Sequence, residues 1–163
     1  MRCRLVGSEM CIRDSTYIDK PILKVAGLNP HAGEEGILGN EEKDWLNSAL
    51  IAWNKKNRDI QLFGPLSPDS CWNSSAKAWL NKDAERHDGI LAMYHDQGLI
   101  PMKVIALNYS VNTTIGLPFI RTSPDHGTGF DIAGRGIAQC QSMIEAIKAA
   151  IEMNKNSRLL NTH

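Results

Sequence analysis

The chain has 163 residues, 42% of them apolar and 22% charged, which are the proportions of one ordinary globular domain and exclude a disordered or collagen-like chain. Its 18 Lys and Arg residues equal its 18 Asp and Glu residues, so the charge balance gives no support to nucleic acid or an anionic membrane as a partner. No run approaches the roughly 18 consecutive apolar residues that a membrane span requires.

The cysteines give no support to a zinc site and favour a reducing compartment. They stand at Cys3, Cys11, Cys71 and Cys140, and no two of them form a C-x-x-C pair, the spacing on which a cysteine zinc site depends. No secretory signal precedes them. We therefore expect reduced cysteines and a cytoplasmic location.

Residues 1–15, MRCRLVGSEMCIRDS, differ in character from the rest of the chain. They lack the apolar run of a signal peptide, and they show neither helical nor strand periodicity. The string GSEMCIRDS resembles translated sequencing-adapter read-through at the end of an environmental gene fragment. We expect a non-native leader here, with native sequence from about Thr16; a disordered native N-terminus is the alternative.

The first half of the chain predicts alternating strands and helices. Ile22–Leu28 is a short apolar run that ends at an Asn-Pro turn signal, and it predicts a strand. Asn40 is a suitable N-cap, and the apolar spacing after it predicts a helix that ends near Lys56. Asp59–Phe63 predicts a second strand, whereas Pro68–Lys82 is ambiguous and fits a loop with a short helix.

The second half continues this alternation, which indicates an α/β layered domain. Gly89–Tyr94 predicts a buried strand, and Tyr109–Ile115 and Pro118–Thr122 predict two further strands joined by Gly116. A long amphipathic helix is expected last, since apolar residues repeat along it at helical spacing. The members of this apolar stripe are Cys140, Met143, Ile144, Ile147 and Ile151.

Two histidines directly follow predicted strands. His31 follows the first strand and His95 follows Gly89–Tyr94, and in α/β sheets ligands bind beyond the carboxyl ends of the strands. Two neutral imidazoles there are suited to a divalent metal, although a catalytic site has three protein ligands and only two candidates stand out. A hydrogen-bonding role for each histidine is the alternative. His87 lies in a charged stretch and is expected on the surface.

Two acidic residues are candidates for the same site. Asp96 adjoins His95, so it is placed to orient the imidazole, to contact a metal or to bind a substrate hydroxyl. Asp69 is the second candidate, and a helix N-cap is its alternative role.

A basic and polar set stands further along the chain, at Lys103, Asn112 and Arg121, each nine positions after the one before. The two cations and the amide have the chemistry of a phosphate or carboxylate clamp, because arginine offers a bidentate fork. The spacing alone does not separate such a clamp from scattered surface charges.

The segment Asp125–Gly134 is rich in glycine and predicts a turn that leads into a helix. Glycines let the backbone approach a ligand closely, and a helix N-terminus favours anions. The segment does not match the G-x-G-x-x-G fingerprint, so a Rossmann interpretation has little support. The chain contains no Walker loop, no G-x-S-x-G elbow and no H-E-x-x-H motif.

Several of these segments together resemble the 4-hydroxythreonine-4-phosphate dehydrogenase family of vitamin B6 biosynthesis. The matching strings are GLNPHAGEEGILGNEE, GPLSPDS, GILAMYHDQGLIPMK and VNTTIGLPFIRTSPDHGTGFDIAGRGIA, and they span about residues 22–153. The resemblance implies a metal-dependent NAD(P) oxidoreductase with a three-layer α/β fold similar to that of isocitrate and isopropylmalate dehydrogenases. It also implies a homodimer with a shared active site.

The resemblance assigns roles to the residues already singled out. The implied set is His31 and His95 as ligands of a divalent metal (zinc, magnesium, manganese or cobalt), Asp69 and Asp96 in the catalytic site, Lys103, Asn112 and Arg121 on the phosphorylated substrate, and His126, Gly127 and Thr128 at the NAD or NADP.

The chain departs from the family pattern in two places. The family's third metal-ligating histidine lies in an H-L-P-L type motif well upstream of the Asn-Pro-His segment, as does a His-Thr pair for the substrate, and neither occurs here. We therefore expect residues 16–163 to be the C-terminal portion of a longer dehydrogenase, inactive by itself because a metal ligand is missing. The stretch between His31 and His95 is also longer than usual around residues 71–88, where an altered lid is expected.

The reaction implied by the resemblance is oxidation of a secondary alcohol in 4-phosphooxy-L-threonine, followed by loss of CO₂ from the β-keto acid. A bound metal would lower the pKa of the substrate hydroxyl. Dehydrogenation of 4-phosphothreonate or 4-phosphoerythronate is an alternative, and so is a non-catalytic module that binds a phosphorylated metabolite. The residues do not decide between NAD and NADP or among the metals.

Overall fold

A computed structural model describes residues 20–81, 87–106 and 108–160 of the chain. The chain divides into two compact units, residues 18–101 and residues 102–163, called here the sheet unit and the hairpin unit. No helix in the described part of the chain is long and apolar enough to cross a membrane.

The sheet unit is built on three parallel strands. They are β1 (Ile22–Ala26), β2 (Gln61–Leu66) and β3 (Gly89–Leu91), arranged in the order β2-β1-β3. The central strand β1 is the most buried of the three, which explains why its sequence is a nearly continuous apolar run.

Helical segments follow each strand of the sheet unit. A π-helical segment (Glu42–Leu46) continues into α1 (Asn47–Lys56), and α2 (Asn73–Asn81) and α3 (His95–Ala106) follow β2 and β3. The core forms where Leu46 and Leu50 pack on Val25 of β1, with Leu62, Leu91 and Met93 around them.

The outer edge of β2 is partly covered by a side chain of α1. Asn54 Nδ2 donates to the Leu62 carbonyl at 2.8 Å, and the Leu62 N–H donates to Asn54 Oδ1 at 2.9 Å. The Asn54 amide therefore satisfies a peptide group at which another strand would otherwise pair.

The hairpin unit consists of an antiparallel pair and one long helix. Strands β4 (Val111–Thr114) and β5 (Arg121–Pro124) pair with Thr114 opposite Arg121, and a 3₁₀ turn (Phe130–Ile132) precedes α4 (Gln141–Leu160). Helix α4 packs on the hairpin through small side chains. The small core consists of Val111, Ala146 and Ala149.

The alternating α/β pattern predicted from the sequence is confirmed, with changes at several boundaries. The strand predicted at Gly89–Tyr94 ends at Leu91, and the strands predicted at 59–63 and 118–122 lie instead at 61–66 and 121–124. The ambiguous stretch 68–82 contains a loop and α2, and residues 82–86 lie outside the described part of the chain. Helix α3 was not predicted.

The apolar stripe of α4 does not face the core of the hairpin unit. Ile147 is 54% exposed, while Ala146 on the neighbouring face is buried. The alanines let the helix approach the hairpin closely, which leaves the larger side chains outside. His87 is half-buried rather than on the surface, and its Nε2 lies 2.7 Å from Ser75 Oγ.

Candidate functional site

The candidate site begins at one edge of the sheet unit, where its three strands end. Because the strands are parallel, their carboxyl ends share an edge, called here the carboxyl edge. His31 follows β1, Asp69 follows β2, and His95 with Asp96 follows β3. The structure thus places these predicted residues after neighbouring strands, with His31 after the central one.

His31 lies in a left-handed turn of the backbone. Residues His31 to Glu35 all have positive φ, between 42° and 82°, and four of them are not glycine. Each such residue costs about 1–2 kcal/mol relative to right-handed backbone. Gly33 must be glycine on steric grounds too, since a Cβ there would lie 2.7 Å from the Gly39 carbonyl oxygen.

A buried carboxylate holds the start of this turn. Glu42 is 3% exposed, and its two oxygens accept the Asn29 N–H at 2.7 Å and Asn29 Nδ2 at 2.8 Å. Burial alone would raise the pKa of Glu42, but the hydrogen bonds from Asn29 outweigh burial and lower it. The ionised carboxylate therefore fixes the loop two residues before His31.

His95 opens helix α3 and is oriented by its neighbour. Its Nδ1 lies 2.7 Å from Asp96 Oδ1, and both side chains are exposed. When Nδ1–H donates to the carboxylate, the lone pair on Nε2 is available to a ligand. This carboxylate–imidazole pairing is typical of metal-binding histidines.

Asp69 lies in a turn after β2 and carries a lowered pKa. The hydrogen bond from Ser67 Oγ, 2.5 Å long, is the main cause. Helix α2 begins at Asn73, so the alternative interpretation of Asp69 as a helix N-cap is wrong. The carboxylate is therefore ionised at neutral pH.

These side chains are of the types that bind a divalent cation, but the described residues are not arranged as a complete site. Two exposed imidazoles and two carboxylates at one sheet edge are the donor types that zinc and similar metals bind. Within residues 20–81, 87–106 and 108–160, however, no three His, Cys, Asp or Glu side chains are arranged to hold a metal.

The predicted anion-binding residues lie in the hairpin unit. Asn112 and Arg121 share one face of the hairpin, because Asn112 is two residues from Thr114 and Thr114 pairs with Arg121. Arg121 donates from a guanidinium nitrogen to Thr114 Oγ1 at 2.9 Å. Lys103 donates to the Asp125 carbonyl at 3.2 Å. All three predicted side chains are exposed.

The loop predicted at the dinucleotide is also exposed. His126, Gly127 and Thr128 precede the 3₁₀ turn, and His126 Nδ1 lies 2.8 Å from the Gly127 carbonyl oxygen. A Cβ at Gly127 would meet nothing within 4 Å. The predicted helix after this loop was wrong, since only three residues form a 3₁₀ turn there and α4 begins at Gln141.

Sequence analysis did not single out two buried polar residues of the sheet unit, Glu42 and Gln97. Both lie inside strings quoted for the family resemblance, and Glu42 stands in the first turn of a predicted helix, where acids are common for electrostatic reasons. Their burial depends on tertiary packing and leaves no signal in the local sequence.

Comparison with known proteins agrees with the sequence resemblance. A family model described as "Pyridoxal phosphate biosynthetic protein PdxA" matches residues 5–150. A 4-hydroxythreonine-4-phosphate dehydrogenase of Synechococcus sp. (strain RCC307) is 56% identical over 139 residues, which cover 84% of this chain and 42% of the relative. The chain spans about two fifths of the length of the curated relatives it matches.

Solved structures give a similar result. The 4-hydroxythreonine-4-phosphate dehydrogenase of Klebsiella pneumoniae superposes with a TM-score of 0.68 at 39% identity, over 90% of this chain and 41% of that one. A terephthalate 1,2-cis-dihydrodiol dehydrogenase of Burkholderia xenovorans superposes with a TM-score of 0.59 at 31% identity, over 86% of this chain and 42% of that one.

Proposed function

Because the chain belongs to the PdxA family of pyridoxal phosphate biosynthetic proteins, we propose that it forms part of a metal-dependent dehydrogenase of 4-phosphooxy-L-threonine that uses NAD or NADP. The observation that carries the proposal is the placement of His31, Asp69 and His95 after the ends of three neighbouring parallel strands. Beyond the carboxyl ends of strands is where α/β folds bind substrates.

His31 and His95 are the proposed ligands of a divalent cation, which is zinc, magnesium, manganese or cobalt. A catalytic site of this type has three protein ligands, so we infer that at least one comes from outside the described residues. When bound, such an ion polarises the substrate hydroxyl and lowers its pKa.

The carboxylates have separate proposed roles. Asp96 holds the His95 ring by its contact at Nδ1, which keeps Nε2 directed to the metal. Asp69 stays ionised because the hydrogen bond from Ser67 lowers its pKa. An ionised carboxylate is able to accept the proton of the substrate hydroxyl as hydride leaves to the nicotinamide.

The hairpin unit is proposed to bind the anionic groups. Arg121 and Asn112, on one hairpin face, and Lys103 would bind the substrate phosphate by charge-assisted hydrogen bonds. The exposed loop His126–Gly127–Thr128 is assigned to the dinucleotide, since open space at Gly127 permits close approach of a ligand to the backbone.

Further proposals concern the whole protein. The whole protein is proposed to be a cytoplasmic homodimeric enzyme with a shared active site. The complete fold would be the three-layer architecture of isocitrate and isopropylmalate dehydrogenases.

The test is a chimera in which residues 22–153 replace the matching part of the Synechococcus relative. We expect it to form NADH or NADPH, followed at 340 nm, with 4-phosphooxy-L-threonine after loading with zinc, magnesium, manganese or cobalt. His31→Ala and His95→Ala should abolish turnover, whereas Lys148→Ala, on exposed α4 surface, should not. The 163-residue chain alone should show no turnover.

Other substrates separate the alternatives. Preference for 4-phosphothreonate or 4-phosphoerythronate would move the proposal to a related phosphorylated acid. Turnover of a terephthalate dihydrodiol but of no phosphorylated acid would contradict the phosphate-binding role of the hairpin unit. Binding of phosphorylated compounds without nucleotide reduction would indicate a binding module.

A further inference from the structure

Three hydrogen bonds run across the ends of the three parallel strands. The Gly27 N–H donates to the Leu66 carbonyl at 2.7 Å, which joins the end of β1 to the end of β2. Gln97 Nε2 donates to the Gly27 carbonyl at 2.7 Å. The Met93 N–H donates to Gln97 Oε1, also at 2.7 Å. The Gln97 amide thus connects the loop after β1 to the loop after β3.

The Gln97 amide is buried, and both its oxygen and its nitrogen are hydrogen-bonded. Gln97 is 7% exposed, and the Gly27 carbonyl that it contacts belongs to a buried residue. A buried polar group that loses its hydrogen-bond partner has no water to replace it, and this destabilises the fold. The hydrogen bonds of Gln97 are therefore shielded from water, unlike the exposed contact between His95 and Asp96.

The residues joined by the Gln97 hydrogen bonds lie close in sequence to both candidate metal ligands. Gly27 stands four residues before His31, while Met93 and Gln97 stand two residues on either side of His95. We propose that Gln97 is a positioning residue that fixes the separation of His31 and His95, so that the two imidazoles bind one metal ion. This inference rests on the proposed function of the two histidines.

Only a primary amide of this length makes both contacts. The Gly27 carbonyl can only accept and the Met93 N–H can only donate, so the side chain between them must present one donor and one acceptor. Glutamate would keep the contact to Met93 and place an anion against the Gly27 carbonyl. Methionine has a similar length and volume but would make neither bond.

The test is a Co²⁺ titration of the 163-residue chain, monitored by paramagnetic broadening of assigned histidine ring signals in NMR spectra. In the wild-type chain we expect His31 and His95 to broaden together, at a Co²⁺ concentration at least tenfold below that needed for the exposed His126. In Gln97→Met and Gln97→Glu, that concentration should rise about tenfold or more, as is typical when an outer partner of a metal site is removed. Gln61→Met, at the opposite end of β2, is the matched control.

Three results of the Co²⁺ titration would count against different parts of the proposal. If His31 and His95 of the wild-type chain respond no better than His126, the metal assignment and the proposed function fail. If the wild-type pair responds but both Gln97 variants bind Co²⁺ as tightly, only the positioning role fails. Loss of the folded circular dichroism spectrum in both variants would also overturn the proposal, because Gln97 would then be required for folding rather than for the histidine separation.

Discussion

In the sheet unit, buried polar side chains hold the loops that bear the candidate metal ligands, whereas the candidate anion-binding side chains of the hairpin unit are themselves exposed. Glu42 and Gln97 are both less than a tenth exposed, but Lys103 and Arg121 reach the Asp125 carbonyl and Thr114 from the surface. This difference in burial matches what a metal ion and a phosphate each require of the protein. Metal geometry demands fixed donors, while a phosphate can be met by long, adaptable cations.

The largest expected effect concerns the exposed cations of the hairpin unit. In the chimera, Arg121→Ala should raise KM for the phosphorylated substrate about 10- to 100-fold, because a charge-assisted hydrogen bond contributes about 1.5–3 kcal/mol. Lys148→Ala, another exposed cation of this unit, is the control. An unchanged KM in steady-state kinetics would remove Arg121 from the phosphate site.

The next effect concerns the buried carboxylate of the sheet unit. Glu42→Gln should lower the free energy of unfolding by about 2 kcal/mol, since an amide cannot accept both Asn29 contacts and the loss falls on charge-assisted bonds. Urea denaturation measures this. Glu41→Gln is the control, because Glu41 accepts only from Asn29 Nδ2 among the contacts described, and its effect should be much smaller.

The same carboxylate predicts a pH dependence. Its folded-state pKa lies below the ordinary value of 4.5, so its contribution to stability is complete above about pH 5.5 and is lost as the pH falls below 4.5. Urea curves from pH 7 to pH 3 should show that Glu42→Gln has the flatter decline. Parallel declines would contradict the assignment.

A smaller effect is expected from an alanine-to-glycine change, which should alter the free energy of unfolding in opposite directions in the left-handed turn and in helix α1. Ala32 has a φ of 53°, so Ala32→Gly should raise the free energy of unfolding by about 1 kcal/mol, as left-handed backbone favours glycine. Ala52→Gly, the same change on the exposed face of α1, should lower it by about 1 kcal/mol. Effects of the same sign in thermal or urea denaturation would show that the turn is not strained.

The smallest effect is expected on the exposed face of α4. Ile147→Gln should change the free energy of unfolding of this chain by less than about 0.5 kcal/mol, since half-exposed surface positions contribute little. Val111→Ala, in the core of the same unit, should cost about 1–2 kcal/mol. A cost at Ile147 as large as that at Val111 would show that the apolar stripe of α4 packs against another part of the protein.

The placement of His31 and His95 after strands was predictable because each comes shortly after an apolar run, although the strand predicted as buried before His95 is only half-buried. Helix α3 was missed since it contains Gly98 and Pro101, both of which weaken a helix signal. The apolar stripe of α4 was identified correctly as a stripe, but amphipathicity does not say which partner covers it. The hairpin takes the alanine face instead.

The left-handed turn and the role of Glu42 lie beyond local sequence reasoning. Four of the five residues in the turn have side chains that disfavour positive φ, so propensity predicts the opposite conformation. The turn forms because Asn29 and Glu42, which are 13 residues apart in sequence, meet through hydrogen bonds. Such a contact becomes visible only when the chain has folded.

The pairing of Asn54 with Leu62 has a consequence for how the molecule behaves among its own copies. An uncovered strand edge is a template on which a second chain can add a strand, and repeated addition leads to aggregates. At Leu62 both backbone hydrogen-bonding groups are already taken by one side chain, so an incoming strand would have to expel the asparagine before it gained any bond. The Asn54 side chain therefore disfavours strand addition, and with it self-association, at this edge of β2.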